Sequence, residues 1–200
     1  MRLHHVLITT CALLAGLPAT VFADWTLDNT QSNVNFLSVK NAAVTEIHQF
    51  KNLSGSVSDS GDVAVSIDLT SVDTLIPVRD ERMNKVLFET ELFPIATLMA
   101  QVDKAALAAL KPGQTMSLEA EVDLDLHGNK QLLVANLQVI GLENGGLLVN
   151  TTKPVVIDSK NFKLDKGVKA LQNIAKLNSI ATSVPVNVRL MFVQNLKSEE

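Results

Sequence analysis

Three side chains able to bind a metal ion stand two residues apart: Asp123, Asp125 and His127. Two carboxylates and an imidazole are the ligand types that hold divalent ions. On a strand, residues spaced by two share a face. The row runs back through Glu121 and Glu119, so its plainer reading is a solvated strand face. A metal-dependent hydrolase built on Asp123, Asp125 and His127 is one alternative to be tested. His48 and Glu46 repeat the two-residue spacing and read as a surface pair near a sheet edge. Arg79 and Arg82 follow Ser71-Val72-Asp73-Thr74 and precede an apolar helical stretch. Guanidinium groups at the mouth of an apolar container would hold a polar or anionic headgroup. The competing reading pairs them with Asp73, Asp80 or Glu81.

The rest of the catalytic inventory is bare. The chain has no G-x-S-x-G elbow, no H-E-x-x-H, no glycine loop for phosphates and no dinucleotide fingerprint. It has no tyrosine, and its one cysteine, Cys11, lies in an N-terminal apolar run. Beyond residue 23 the only histidines are His48 and His127. Acid–base or nucleophilic catalysis would rest on those two, on carboxylates or on lysines. The expectation is a protein that is not an enzyme and needs no cofactor.

The N-terminus reads as an address. Met1 to His5 carries Arg2, Val6 to Leu17 is a short apolar run, and Val21-Phe22-Ala23 offers a cleavage site. Residues 1–23 are therefore expected to be a secretory signal peptide. Residues 24–200 then form one domain, long enough to bury a sizeable core. They contain no cysteine, so neither disulfides nor cysteine-ligated zinc enter the argument. The formal charge of −4, more negative once Arg2 is gone, argues against nucleic acid as a partner. No stretch after residue 23 reaches the roughly 20 apolar residues of a spanning helix.

The elements that must position any site are mostly strands. From Ser117 to His127, Leu118, Ala120, Val122, Leu124 and Leu126 fall on one side and acidic residues with His127 on the other. That is a long strand with one dry face. Val63 to Thr70, Leu133 to Val139 and Val184 to Phe192 alternate in the same way, and 34–39, 44–50, 95–102 and 147–157 do so more weakly. Turn signals at Asp59-Ser60-Gly61-Asp62, Lys111-Pro112-Gly113, His127-Gly128-Asn129 and Glu143-Asn144-Gly145-Gly146 separate the runs. About eight strands joined by short turns predict an all-β, antiparallel sheet closing into a deep barrel. Helices are expected at 79–88, at 103–110 with Asp103 as cap, and at 165–178. The apolar stripe of the last suits it either to cap the barrel or to meet a second subunit in a homodimer. Gly167, in its first turn, costs roughly 1 kcal/mol of helix propensity.

Read in order, the landmarks resemble the YceI-like family, whose domain is named for polyisoprenoid binding. They are Trp25-x-Leu27-Asp28, Ser32-x-Val34-x-Phe36, Phe50 with Leu53-x-Gly55, and Ser71-Val72-Asp73-Thr74. Arg79-Asp80, Phe93-Pro94-x-Ala96-Thr97 and Leu124-x-Leu126-His127-Gly128 with Lys130 follow, then Ser159-x-x-Phe162-x-Leu164 and Val184-Pro185-Val186. The chain departs from the family pattern at Phe93, where the family often has Tyr, and at Gly128-Asn129-Lys130, which is one residue shorter than the family's turn. The resemblance implies a lipocalin-like antiparallel barrel of about eight strands with two or three short helices. It implies an elongated apolar cavity holding a long isoprenoid lipid, a quinone tail or a polyprenyl phosphate, in a periplasmic protein without enzymatic activity. The inward candidates for the lining are Phe36, Val65, Ile67, Leu69, Val122, Leu124, Leu126, Val186, Val188 and Leu190. The headgroup candidates are Arg79 and Arg82. A filled barrel working through its surface, as an interaction or stress-protection module, is the main alternative.

Overall fold

The alternation at 117–127 becomes the centre of a long hairpin. In the computed structural model, which describes residues 23–195, the strand spans Thr115–Leu126 and pairs with the next, Asn129–Gly141. The register runs from Thr115 opposite Ile140 to Leu126 opposite Asn129. His127 and Gly128 form the turn, with φ of 54° and 68°. Left-handed conformation at both central residues matches the right-handed twist of the flanking strands. His127 therefore leaves the strand and does not continue the polar row, against the sequence reading. A side chain at position 128 would begin 2.9 Å from the Phe93 ring, a second reason for glycine there.

Eight extended segments close into a ring, several of them bent into two strands. The first is β1 (Ala23–Leu27) plus β2 (Asn33–Lys40), and the second is β3 (Val44–Phe50) plus β4 (Leu53–Ser58). The third is β5 (Asp62–Asp68) plus β6 (Val72–Asp73), followed by β7 (Ile95–Gln101), β8 (Thr115–Leu126) and β9 (Asn129–Gly141). The seventh is β10 (Leu147–Thr151) plus β11 (Val155–Asp158), and the eighth is β12 (Ser183–Gln194). Each segment pairs antiparallel with its chain neighbour, and β12 returns to the start. It pairs with β1 at Phe192 opposite Leu27 and with β2 at Val186 opposite Phe36. The expected antiparallel, lipocalin-like barrel is thus what the chain forms.

Bends appear where the backbone loses ladder partners and side chains supply them. The Leu53 N–H donates to Asn29 Oδ1 at 2.7 Å, and the N–H groups of Lys51 and Asn52 donate to Ser71 Oγ at 3.1 and 3.0 Å. Leu53 is buried, and its backbone donor needs such a substitute where the ladder is interrupted; Lys51 and Asn52 are exposed. The stretch expected as one strand at 147–157 divides at Thr152-Lys153-Pro154. Proline has no N–H to give, and both halves still pair with β12.

Three short helices cover the barrel ends. α1 (Pro77–Arg82) starts two residues before the expected Arg79, with Pro77 in its first turn. It runs on as a π-helical turn over Met83–Leu87. α2 (Lys104–Ala108) has Asp103 as cap, its carboxylate accepting from the Ala106 N–H at 3.1 Å. α3 (Asp165–Ile174) stops short of the expected 178, and Lys176 turns left-handed with φ of 53°. Of the segment read as a signal peptide, only Ala23 lies within the described residues; it opens β1. No helix of the described residues is long and apolar enough to cross a membrane.

Candidate functional site

The dry faces of the strands meet around a hollow. Val65 and Ile67 of β5, Val122, Leu124 and Leu126 of β8, and Val186, Val188 and Leu190 of β12 line it, as do Phe36 of β2 and Leu69 in the bend after β5. All ten residues singled out in the sequence therefore stand on the cavity wall. The cavity volume is about 270 Å³. A cavity of about 150 Å³ lined by Leu, Ile and Phe stays dry and takes up benzene. The barrel is thus not plugged by its own side chains, as the filled-barrel alternative required. Ala120 and Ala135 face each other across β8 and β9, and these small side chains help leave the middle open.

Two ends bound the hollow. At one, Leu107 of α2 reaches the wall, and nearby Trp25 is buried with its indole N–H donating to the Gly145 carbonyl at 2.8 Å. At the other, Leu87 of the π turn and Phe88 just after it join Leu164, which caps α3, and Val168 in its first turn. The sequence reading did not assign these helix-borne residues to the lining. Leu87 and Val168 fall inside the helices expected at 79–88 and 165–178, but an apolar helical stripe does not say what it covers.

Among the described residues the wall carries no charged group, and only Thr151 and Ser159 are polar. Thr151 Oγ1 is engaged, accepting from the Val188 N–H at 3.2 Å. Ser159 is 3% exposed, and its hydroxyl has no partner in the protein. A buried, unpaired hydroxyl costs about 1–3 kcal/mol.

Neither arginine reaches the cavity. Arg79 donates from Nη1 to Glu46 Oε2 and from Nη2 to the Thr74 carbonyl, both at 2.7 Å. Arg82 is exposed on α1. A guanidinium that ties a helix to a strand is committed, which is the physical reason Arg79 is not free for a headgroup. Burial pushes the Glu46 carboxyl up, but hydrogen bonding to Lys40 and the charge of Arg79 prevail and hold it below its ordinary value.

His48 corrects the expectation of a surface pair. It is 4% exposed, packs its ring against Phe36 with centroids 5.2 Å apart, and shares a hydrogen bond of 2.8 Å between Nε2 and Ser38 Oγ. Burial, then the nearby Arg79 charge, holds its pKa below the ordinary value. The metal row also fails to assemble. Asp123 and Asp125 project from the outer side of β8, while His127 in the turn bonds Glu89 at 2.9 Å and packs on Phe93. No group of three His, Cys, Asp or Glu among the described residues is placed to hold a metal ion.

Fold and site together define the class: a closed, lipocalin-like antiparallel barrel built around an apolar hollow. The YceI-like domain matches residues 25–192, and the chain belongs to that family. Among solved structures, a polyisoprenoid binding domain from Saccharophagus degradans, implicated in plant cell wall breakdown, is 38% identical with a TM-score of 0.85, covering 87% of this chain and 100% of its own. BcnA of Burkholderia cenocepacia is 19% identical with a TM-score of 0.64, over 82% of this chain and 98% of that one. The YCEI protein of Campylobacter jejuni, 14% identical with a TM-score of 0.50 over 75% of this chain and 85% of its own, has a related fold. No curated protein matches the chain.

Proposed function

We propose that this chain binds a long isoprenoid-type lipid, a quinone or polyprenyl chain, inside the barrel and serves as its periplasmic carrier. The observation that carries the reading is the uncharged, apolar cavity wall running from Leu107 to Leu164. The relative from Saccharophagus degradans, a polyisoprenoid binding domain, supports it at 38% identity. An isoprene unit offers about 3–4 kcal/mol of burial at roughly 0.8 kcal/mol per CH₂. A tail needs no polar contact along its length, only a closed apolar channel, so the ten lining residues named above are its proposed contacts. Their task is to bind and exclude water, and no catalytic step is assigned to them. The N-terminal address read from residues 1–23 is the support for the periplasm.

The test is direct. The protein purified from its host is extracted with organic solvent and the extract analysed by mass spectrometry. An isoprenoid lipid in stoichiometric amount is expected. An empty extract, with no uptake of added quinone or polyprenol, would overturn the reading in favour of a surface-acting module.

A further inference from the structure

The formal charge of −4 hides an uneven surface. Between residues 159 and 180 stand five lysines, Lys160, Lys163, Lys166, Lys169 and Lys176, against one acidic residue, Asp165. All five are exposed, on α3 and the turns beside it, at the barrel end that α3 and the π turn roof. Among the described residues none of them pairs with a carboxylate. Glu119, Glu121 and Asp123 are exposed on the outer side of β8, which lies across the ring from β2.

An apolar row crosses the outside of the barrel beside the lysines. Phe36 and Val186 face the cavity, so Leu37 and Pro185 face outward. Leu37 stands opposite Ile47 of β3, and Pro185 opposite Val156 of β11. Gln49 pairs with Asp73, and two residues further along each chain come Ile47 and Leu75. Ile47, Leu75 and Val156 are 66%, 83% and 59% exposed. Ile180, which follows α3, bridges to Lys40 of β2 and joins the roof to the row. Carboxylates beside the row are engaged, Glu46 with Lys40 and Arg79, and Asp73 with Lys51. Leu75 is held in place under strain. Its φ of 63° is left-handed, which suits glycine or asparagine better than leucine. The Leu75 N–H donates to Asp73 Oδ1 at 2.9 Å, the Thr74 N–H to Asp80 Oδ1 at 2.8 Å, and Arg79 Nη2 to the Thr74 carbonyl at 2.7 Å. Strain of this kind persists where the surroundings over-determine it, and it gathers at functional sites.

We infer that this face docks on an anionic phospholipid bilayer, with Leu75, Ile47 and Val156 entering the acyl boundary and the roof lysines lying on the headgroups. The purpose of the docking rests on the isoprenoid reading. Leu87, Leu164 and Val168 line the inner side of the same roof, so docking sets that end of the cavity against the membrane that supplies the lipid. Charge complementarity selects the occupant. Lysines within a Debye length of an anionic surface are attracted to it, and exposed apolar side chains gain by leaving water at the boundary. The same field repels the carboxylates of β8, which orients the molecule. A second copy is the poorer fit, because a two-fold contact would set one group of unpaired lysines against another.

The experiment floats the delipidated protein with phosphatidylcholine vesicles, with and without about one third phosphatidylglycerol. The wild type is expected to bind the anionic vesicles at least about tenfold more tightly than the neutral ones, and to lose that margin at high salt. Lys166→Gln combined with Lys169→Gln, both at exposed positions, is expected to weaken binding to the anionic vesicles about tenfold. Leu75→Asn is expected to weaken it about tenfold as well, while its melting temperature equals or exceeds that of the wild type, since asparagine accepts left-handed backbone. Uptake of geranylgeraniol is read in parallel, from detergent and from anionic vesicles. Both variants are expected to take it up from detergent as the wild type does, and from vesicles more slowly. No flotation, equal binding to the two vesicles, or variants that float like the wild type overturns the docking face, and uptake from detergent then leaves the isoprenoid reading standing. No uptake from either source overturns the isoprenoid reading, while flotation decides the docking face by itself. A wild-type dimer in sedimentation that Leu75→Asn dissolves assigns the face to a second copy and overturns the bilayer as its occupant.

Discussion

His48 and Arg79 show how much can hang on single side chains at the roofed end of the barrel. In the unfolded chain His48 protonates near its ordinary value of 6.5, while burial and the Arg79 charge hold it lower in the fold. Above that ordinary value the imidazole is neutral in both states and contributes no pH dependence. As pH falls through it, the unfolded state takes up the proton first, so folded stability drops. The wild type is therefore expected to lose more melting temperature between about pH 7.5 and pH 5 than His48→Asn does. Parallel curves for the two proteins would show that His48 is not the titrating group. Arg79 holds α1 to β3 through Glu46 and to its own loop through Thr74. Arg79→Met is expected to cost about 1–2 kcal/mol in urea denaturation, because it strips partners from a half-buried carboxylate and a carbonyl. Arg82→Ala, on an exposed surface, is expected to stay within about 0.5 kcal/mol of the wild type. Neither is expected to change lipid affinity, and a loss of affinity on removing Arg82 would restore it as a headgroup contact.

Among the elements, the contact of α3 with the π turn decides how the barrel is roofed. Gly167 looks like a weak point on propensity alone, since alanine is better in a helix by roughly 1 kcal/mol. The fold gives it another purpose. A Cβ at 167 would lie 2.6 Å from the Val86 carbonyl oxygen and 2.9 Å from Leu87 Cα. Both are backbone atoms that cannot swing aside. Gly167→Ala is therefore expected to destabilise by about 1–3 kcal/mol despite its better propensity, as overpacking does. A melting temperature raised by alanine would mean that the two helices do not meet this closely. The bends have a similar logic. Period-two alternation announced the strand at 34–39 but not that β1 and β2 are one strand broken by the turn at Asn29–Gln31. The substitutes that hold the bends, Asn29 and Ser71, are ordinary polar residues in sequence, and only their donors across the chain reveal them.

For the whole molecule the consequential quantity is empty volume. Ala135 faces Ala120 across the β8–β9 hairpin and lines the hollow. Ala135→Phe is expected to fill part of the cavity, lower co-purified or added isoprenoid by at least about tenfold, and leave the melting temperature unchanged or higher, since filling a void adds contacts. Lipid content by mass spectrometry beside a thermal melt reads both effects. Full occupancy in that variant would move the ligand out of the barrel. The ten lining residues were legible because each sits on the apolar side of an alternating run. The helix-borne lining, Leu87, Leu107, Leu164 and Val168, was not, because a helical stripe is equally suited to pack a core, meet a partner or roof a cavity.

Local stereochemistry alone tells which side chains of this chain point together. Successive residues of a strand face opposite ways, so an alternating run labels its dry face without reference to any other part of the chain. That suffices for the strands and the inward residues, and turn chemistry at Gly61, Gly113, Gly128 and Gly145, each with positive φ, suffices for many of the connections. Closure through β1 and β12, the hollow between the dry faces, the burial of His48 and the isolation of the Ser159 hydroxyl belong to the tertiary structure. Each depends on whether groups from distant segments come into contact, and a local period carries no information about the distance between two faces that never adjoin in sequence.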